Sequence, residues 1–330
     1  MKVFDIHSDL FTDIAWRRSK GETAVFDRIH YPQLKKGGVD SICCVIWVEP
    51  AFRQDPFTRF QTILKHVLDD LGSSKHANVC LTADDMKDAT SSGKINLFLG
   101  IEGMSFLEHW GQDSFESTIE IAFDELHTNK FRHTIFVWNE WNDLASGTGS
   151  AEEPAKRGLT TFGEFAVRKA NELNWILDAS HLDETSFWNM HAISNQPIIA
   201  SHSNAIALCP HARNLTDAQM KAIAKSGGII GLNAFSGFID KVNPTLDRFV
   251  DHAVYIADLV GPQHVAFGFD FLDYLSAYDL VSKSPRTQGL EDCTKIPELL
   301  ERMAVRGFSQ KELEGISFDN AFNFMSKRLK

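Results

Sequence analysis

Cysteine is scarce in this chain. Five residues in 330 (Cys43, Cys44, Cys80, Cys209 and Cys293), odd in number and scattered, argue against a disulfide framework and fit a reducing compartment. No apolar run reaches the roughly 18 residues that a membrane-spanning helix needs. Met1-Lys2 leads straight into a strand-like segment, with no apolar stretch ending in a small-residue cleavage site, so no secretory leader and no membrane partner are expected. A C-terminal hydrophobic tail is missing as well. An excess of positive charge is absent too: 33 Lys and Arg stand against 44 Asp and Glu, a net charge of -11. The basic residues are dispersed, in short pairs such as Lys35-Lys36 and Lys327-Arg328, which disfavours a surface that tracks nucleic-acid phosphates. No short repeat, low-complexity tract or linker divides the sequence. The expectation is a cytoplasmic protein folded as one domain over 1–330.

The remaining composition is that of an ordinary globular protein, with 43% hydrophobic and 23% charged residues and a mean hydropathy of -0.19. Apolar runs of strand length recur: Val3–Asp9, Ser41–Val48, Ile95–Ile101, Phe131–Trp138, Trp175–Ser180, Pro197–Ser201, Ile229–Phe235 and Val265–Phe269. Between them lie segments with helical spacing, including Pro56–Leu71, about 115–127, 162–173, 184–194, a helix opening at Thr216 or Asp217, and about 245–260. A polar, turn-rich stretch separates the first strand from Gly37-Gly38, and closing helices are expected from about 294. Strand and helix alternate about eight times, which points to a parallel sheet and, at this length, to a (β/α)₈ TIM-type barrel; an open doubly wound sheet is the alternative.

In such a barrel the C-terminal strand ends share one face, where sites form. His7 and Asp9 close the first run, Glu102 follows the third, and His181 and His202 follow the fifth and sixth. Taken singly, each has a plainer reading: a hydrogen-bonded structural histidine, a loop carboxylate, a turn cap at Asp9. Five metal-type ligands on one rim outweigh those readings. His, Asp and Glu suit zinc or a related divalent ion, and the set is too large for one tetrahedral site that keeps a position open. Two metals sharing a carboxylate would hold a hydroxide that attacks a carbonyl, which makes the chemistry metal-assisted hydrolysis. Arg213 stands in a loop before a helix, where it could clamp a carboxylate. Asp270, in Phe267-Gly268-Phe269-Asp270-Phe271, could bind an amine or move a proton.

The segments D-I-H-S-D (5–9), G-I-E-G (100–103), D-A-S-H-L (178–182), P-I-I-A-S-H-S-N-A (197–205), R-N-L-T-D (213–217) and G-F-D-F (268–271) together resemble, in order, the membrane dipeptidase (renal dipeptidase) family of dinuclear zinc peptidases. The resemblance implies a distorted (β/α)₈ barrel that cleaves dipeptides, often with a D-residue at the C-terminal side. Some relatives open β-lactams. It implies two Zn²⁺ per chain, one on His7 and Asp9 and one on His181 and His202, with Glu102 between them. It makes Arg213 the receptor of the substrate carboxylate and Asp270 the acid near its free amine. A homodimer is an expectation from resemblance only.

The chain departs from the family at one informative place. A histidine that helps to hold substrate and oxyanion is replaced, in F-V-W-N-E-W-N-D, by Trp138. Asn139 through its amide, or Trp138 through its indole N–H, is the expected substitute donor. Phe269, where a serine is more usual, is expected to narrow the pocket. Two alternatives stay open: a metal-dependent amidohydrolase for N-acyl amino acids, lactams or lactones, and a barrel that binds metal or peptide without turnover.

Overall fold

The computed structural model describes residues 1–111, 114–150, 158–278 and 286–329. Its strands are β1 (Val3–Ser8), β2 (Val39–Trp47), β3 (Ala77–Val79), β4 (Ile95–Glu102), β5 (Phe131–Ile135), β6 (Ile176–Asp178), β7 (Ile230–Leu232) and β8 (Val265–Phe267). Every residue of β1, β2 and β4 is buried, because both faces of a parallel sheet are covered and the sequence needs no alternation. The ladder runs β6-β5-β4-β2-β1-β8-β7, with all pairs parallel. The segment Ile198–Ser201 fills the remaining gap. Parallel bridges join Asp178 to Ile199 and Ala200 to Ile230, so eight positions close into a TIM-type barrel in which one stave is too irregular to be a full strand.

Several rim segments leave the ladder earlier than their apolar runs suggest: β5 stops at Ile135, β6 at Asp178, β7 at Leu232 and β8 at Phe267. The segments that follow bring Trp138, His181, Phe235 and Asp270 to one cavity. Two glycines let the backbone of Ser201 approach closely. A Cβ on Gly231 would lie 1.8 Å from the Ser201 carbonyl oxygen, and one on Gly268 would lie 1.7 Å from it.

The stretch expected to be turn-rich after β1 is instead a helix, Leu10–Ser19, with Leu10, Phe11, Ile14 and Ala15 buried. Those positions form a narrow helical stripe that the charged residues Arg17, Arg18, Lys20 and Glu22 obscure in the sequence. The three-residue β3, pairing outside the ring with β4, carries no apolar run to announce it. From Ile296 the chain forms the expected closing helices, Ile296–Val305, Gln310–Glu314 and Asn320–Ser326. The last of these, with the Gly315–Asp319 turn before it, plugs the N-terminal mouth of the barrel: Phe318, Phe324 and Met325 pack with Phe4, Ile6 and Phe98, and Asn320 Nδ2 donates to the carbonyls of Pro262 and Val265 at 2.8 and 2.7 Å. With that end covered, the barrel interior is approached from the C-terminal rim, where the cavity lined by Glu102, His181 and Asp270 opens. Among the described residues no helix is long and apolar enough to cross a membrane.

Candidate active site

His7, at the end of β1, and Asp9, one residue beyond it, are both buried. Asp9 stands at the N-cap of the helix Leu10–Ser19 yet its side chain accepts no capping hydrogen bond; its carboxylate instead faces His7, 3.9 Å away, and Asp270. Glu102 ends β4, which pairs it with Trp47 of β2, and it reaches three of the rim groups. Its Oε2 lies 3.3 Å from His7 Nε2; its Oε1 lies 2.7 Å from His181 Nε2 and 3.9 Å from His202 Nε2. The two latter nitrogens are 2.9 Å apart, and the rings of His7 and His202 stack at 3.7 Å. The five strand-end residues singled out in the sequence therefore meet around one point.

The cluster fits a metal centre on its own chemistry. His7 Nδ1 and Asp9 Oδ1 are buried without a hydrogen-bond partner, a costly state unless something else satisfies them. Ligand atoms of His7, Glu102 and His202, and of His7, Asp9 and Asp270, each lie within 4.8 Å of one another. Burial, reinforced by the charge of Arg213, pushes His181 down to about 4, and burial with the charges of His7 and Arg213 keeps His202 well below its ordinary value. Both are thus neutral imidazoles near neutral pH, the form that ligates. Burial opposes ionisation of Glu102, but His181 and His7 outweigh it and hold the carboxyl well below its ordinary range. Burial raises Asp9 and Asp270, which sit close to each other and to Glu102. Burial opposes the charge on His7, but Glu102, Asp9 and Asp270 outweigh it and raise the imidazole to about 10, so the pocket draws in positive charge, which a metal ion would supply in exchange for that proton.

Second partners set the rings. His181 Nδ1 meets Asn139 Oδ1 at 2.9 Å, and His202 Nδ1 meets Ser201 Oγ at 2.8 Å. Donation from each Nδ1–H leaves the Nε2 lone pair of both histidines on the Glu102 side. Asn139, read from the sequence as an oxyanion donor, thus spends its carbonyl oxygen on His181. Trp138 lines the cavity, its ring 5.3 Å from that of Trp47 and 6.2 Å from that of His181. Phe269 does not narrow the cavity. It is fully buried, stacked 4.8 Å from both Phe267 and Phe271 and 6.0 Å from Phe249, and belongs to the packing beneath the helices.

Arg213 is 5% exposed and still charged at neutral pH, since burial brings it down only to about 10. Its Nη2 donates to the His202 carbonyl at 3.3 Å, while its Nε has no partner. Asp270 accepts from Asn233 Nδ2 at 3.0 Å. Both border a cavity of about 610 Å³ that also reaches Asp9, Glu102 and His181. Arg213 adjoins the His181 and His202 side of the cluster, and Asp270 the His7 and Asp9 side.

Two buried carboxylates escaped sequence reasoning although both stand in quoted motifs. Asp5 Oδ1 accepts from the amides of His7 and Phe269, at 3.3 and 3.0 Å. Asp178 Oδ1 accepts from those of Ser180 and Ser201, at 2.9 and 3.0 Å. Each carboxylate ties neighbouring staves just where they hand over a site residue. His181 and Asp270, which follow two of these amides, hold left-handed backbones with φ of 71° and 56°, a strained state for residues with a Cβ.

A closed parallel barrel with histidines and carboxylates gathered at its C-terminal rim defines a metal-dependent hydrolase scaffold. This chain belongs to the membrane dipeptidase family, peptidase family M19, whose model matches residues 1–328. It is 26% identical over 315 residues to Dipeptidase aclJ of Aspergillus oryzae, a match that covers 91% of this chain and 70% of that protein. Among solved structures it resembles the dipeptidase AC, a metallo peptidase, at 23% identity with a TM-score of 0.84, covering 100% of this chain and 99% of the other. A metallo peptidase from Rhodobacter sphaeroides, liganded with a phosphinate mimic of the dipeptide L-Ala-D-Ala, matches at 23% identity with a TM-score of 0.83 and the same coverage.

Proposed function

We propose that this metal-dependent dipeptidase hydrolyses dipeptides with a free α-amino group and a free α-carboxylate, and that it admits a D-residue at the C-terminal position. The observation that carries the reading is the placement of Arg213 beside His202 and of Asp270 beside His7 and Asp9, within one cavity. Arg213 receives the carboxylate as a charge-assisted fork. Asp270 pairs with the amine and serves as the acid or base for the departing nitrogen. A substrate held at both ends lies with its peptide carbonyl over Glu102 and the histidines, so the site measures length.

His7 and Asp9 would hold one metal ion, His181 and His202 a second, with Glu102 shared between them. When bound, such ions supply a Lewis acid for the carbonyl and lower the pKa of water to near neutrality. Asn139 and Ser201 keep the two imidazoles oriented, and burial keeps those imidazoles neutral. The Rhodobacter protein, of the same fold, binds a mimic of L-Ala-D-Ala, which supports both the dipeptide and the D-configuration. An N-acyl amino acid is the weaker reading, because an acylated nitrogen gives Asp270 no charge to pair.

The test is a panel of L-Ala-D-Ala, L-Ala-L-Ala and their N-acetyl and C-amide derivatives, offered to zinc-loaded protein. Hydrolysis confined to substrates with both ends free is the expected result. Equal cleavage of the blocked compounds, or none of the dipeptides, would overturn the reading.

A further inference from the structure

The machinery of the site occupies only part of the cavity that contains it. A cavity of about 610 Å³ lies in the range of about 300–1,000 Å³ that takes a whole small ligand, and the ligand cluster with Arg213 lines only one part of it. Another part is walled by Trp47, Trp138, Phe235, Phe238, Leu272 and Leu275. Among the described residues no lysine borders it; its carboxylates Asp9, Glu102 and Asp270 belong to the ligand cluster, Arg213 is committed to a carboxylate, and His211, 4.6 Å from the Phe238 ring, is held below its ordinary value by burial.

The aromatic wall has a definite place relative to the substrate. The Arg213 guanidinium lies 5.4 Å from the centre of the Phe238 ring, and Phe238 lies 4.8 Å from Phe235. A residue whose carboxylate rests on Arg213 therefore has its own side chain beside these rings. The wall is also built in rather than casual. Asn233, fully buried, accepts the Phe235 amide at 2.6 Å through Oδ1 and donates to Asp270 at 3.0 Å through Nδ2, so one side chain fixes both the aromatic wall and the acid. Farther along, Trp138 and Trp47 continue the apolar surface next to His181 and level with Glu102.

Resting on the dipeptidase reading above, we propose that the preferred substrates are dipeptides with an aromatic or large aliphatic C-terminal side chain, which packs against Phe238 and Phe235. An acidic side chain would have to give up hydration against these rings, and alanine leaves them uncovered. Covering them with a large apolar side chain corresponds to a gain of about 10–100-fold in kcat/KM over alanine.

The experiment compares kcat/KM for L-Ala-D-Xaa and L-Ala-L-Xaa with Xaa as Ala, Asp, Leu or Phe on the zinc-loaded protein. Phe and Leu should exceed Ala by tenfold or more in the accepted stereochemical series, with Asp the poorest. Phe238→Ala should narrow the Phe-to-Ala ratio at least several-fold, mainly through KM. Phe235→Leu, a milder change, serves the same purpose if the first variant does not fold. A flat series, a preference for Ala or Asp, or an unchanged ratio in folded variants would overturn the substrate class while leaving the dipeptidase reading in place. Failure to cleave any member would overturn both.

Discussion

Asp178 and His133 form a buried pair, Oδ2 to Nε2, at 2.8 Å, and the other oxygen of the same carboxylate holds the backbone on which His181 and His202 are mounted. The pair is thus an anchor for one half of the ligand set. Asp5 does the corresponding work for His7 and for the turn that presents Asp270.

Removing the anchor should loosen one half of the metal centre more than the other. Asp178→Ala frees both amides and should weaken metal binding at His181 and His202 by about 10–100-fold, whereas Asp178→Asn, which keeps an acceptor oxygen, should fall between it and the native chain. Competition against a chromophoric chelator, with the Co²⁺ absorption spectrum as a second readout, checks this. Equal weakening of all bound metal would mean that Asp178 matters only for folding.

The same pair makes stability depend on pH in a calculable direction. Burial disfavours the charge on His133, but Cys43 and Asp178 outweigh it and raise the imidazole to about 10 from its ordinary 6.5. Burial likewise opposes ionisation of Asp178, and His133 with the Ser180 and Ser201 hydrogen bonds brings its carboxyl down to about 2 from 3.8. A raised imidazole stabilises fully below 6.5 and less as pH climbs toward 10; a depressed carboxyl stabilises fully above 3.8 and less as pH falls toward 2. The pair's contribution to the urea resistance of metal-free protein, read as the difference between the native chain and Asp178→Asn, should therefore be greatest from about 4 to 6.5 and decline on both sides, so that Asp178→Asn flattens the alkaline limb. An unchanged alkaline limb in that variant would contradict the pairing.

Arg213→Ala should raise KM for free dipeptides by about 10–100-fold, the worth of a charge-assisted fork, and leave kcat less affected. C-amidated compounds, which never engaged the fork, should bind no worse than before. Inhibition constants for non-hydrolysable analogues with and without the carboxylate would separate these outcomes.

Asp270→Asn should act on the other parameter. A lost acid-base group corresponds to about 10²–10⁴ in kcat, with metal content and thermal stability near native because Asn233 can still hydrogen-bond the new amide. A variant with native kcat would remove Asp270 from the proton transfers.

Much of this site was legible in the sequence, for a physical reason. Parallel strands buried on both faces read as continuous apolar runs, and the first polar residues after such runs, His7, Glu102, His181 and His202, had to lie on one rim. What the sequence hid were roles that spacing does not encode. Asp5 and Asp178 act through backbone amides of neighbouring staves, and Asn139 turned its carbonyl oxygen toward His181. The aromatic wall draws on Trp47, Trp138, Phe235 and Phe238, residues far apart in the chain that only ring closure brings together. Phe269 shows the converse, since one residue along a strand end reverses the direction of a side chain, and it packs outward while Asp270 faces the cavity.

The most direct test of the central claim is metal content measured by elemental analysis on the same sample used for L-Ala-D-Ala hydrolysis, before and after chelation. The expected result is close to two divalent ions per chain, activity lost as they are removed, and activity restored as zinc is returned. A chain that takes up no metal, or one whose dipeptide hydrolysis survives complete chelation, would contradict it.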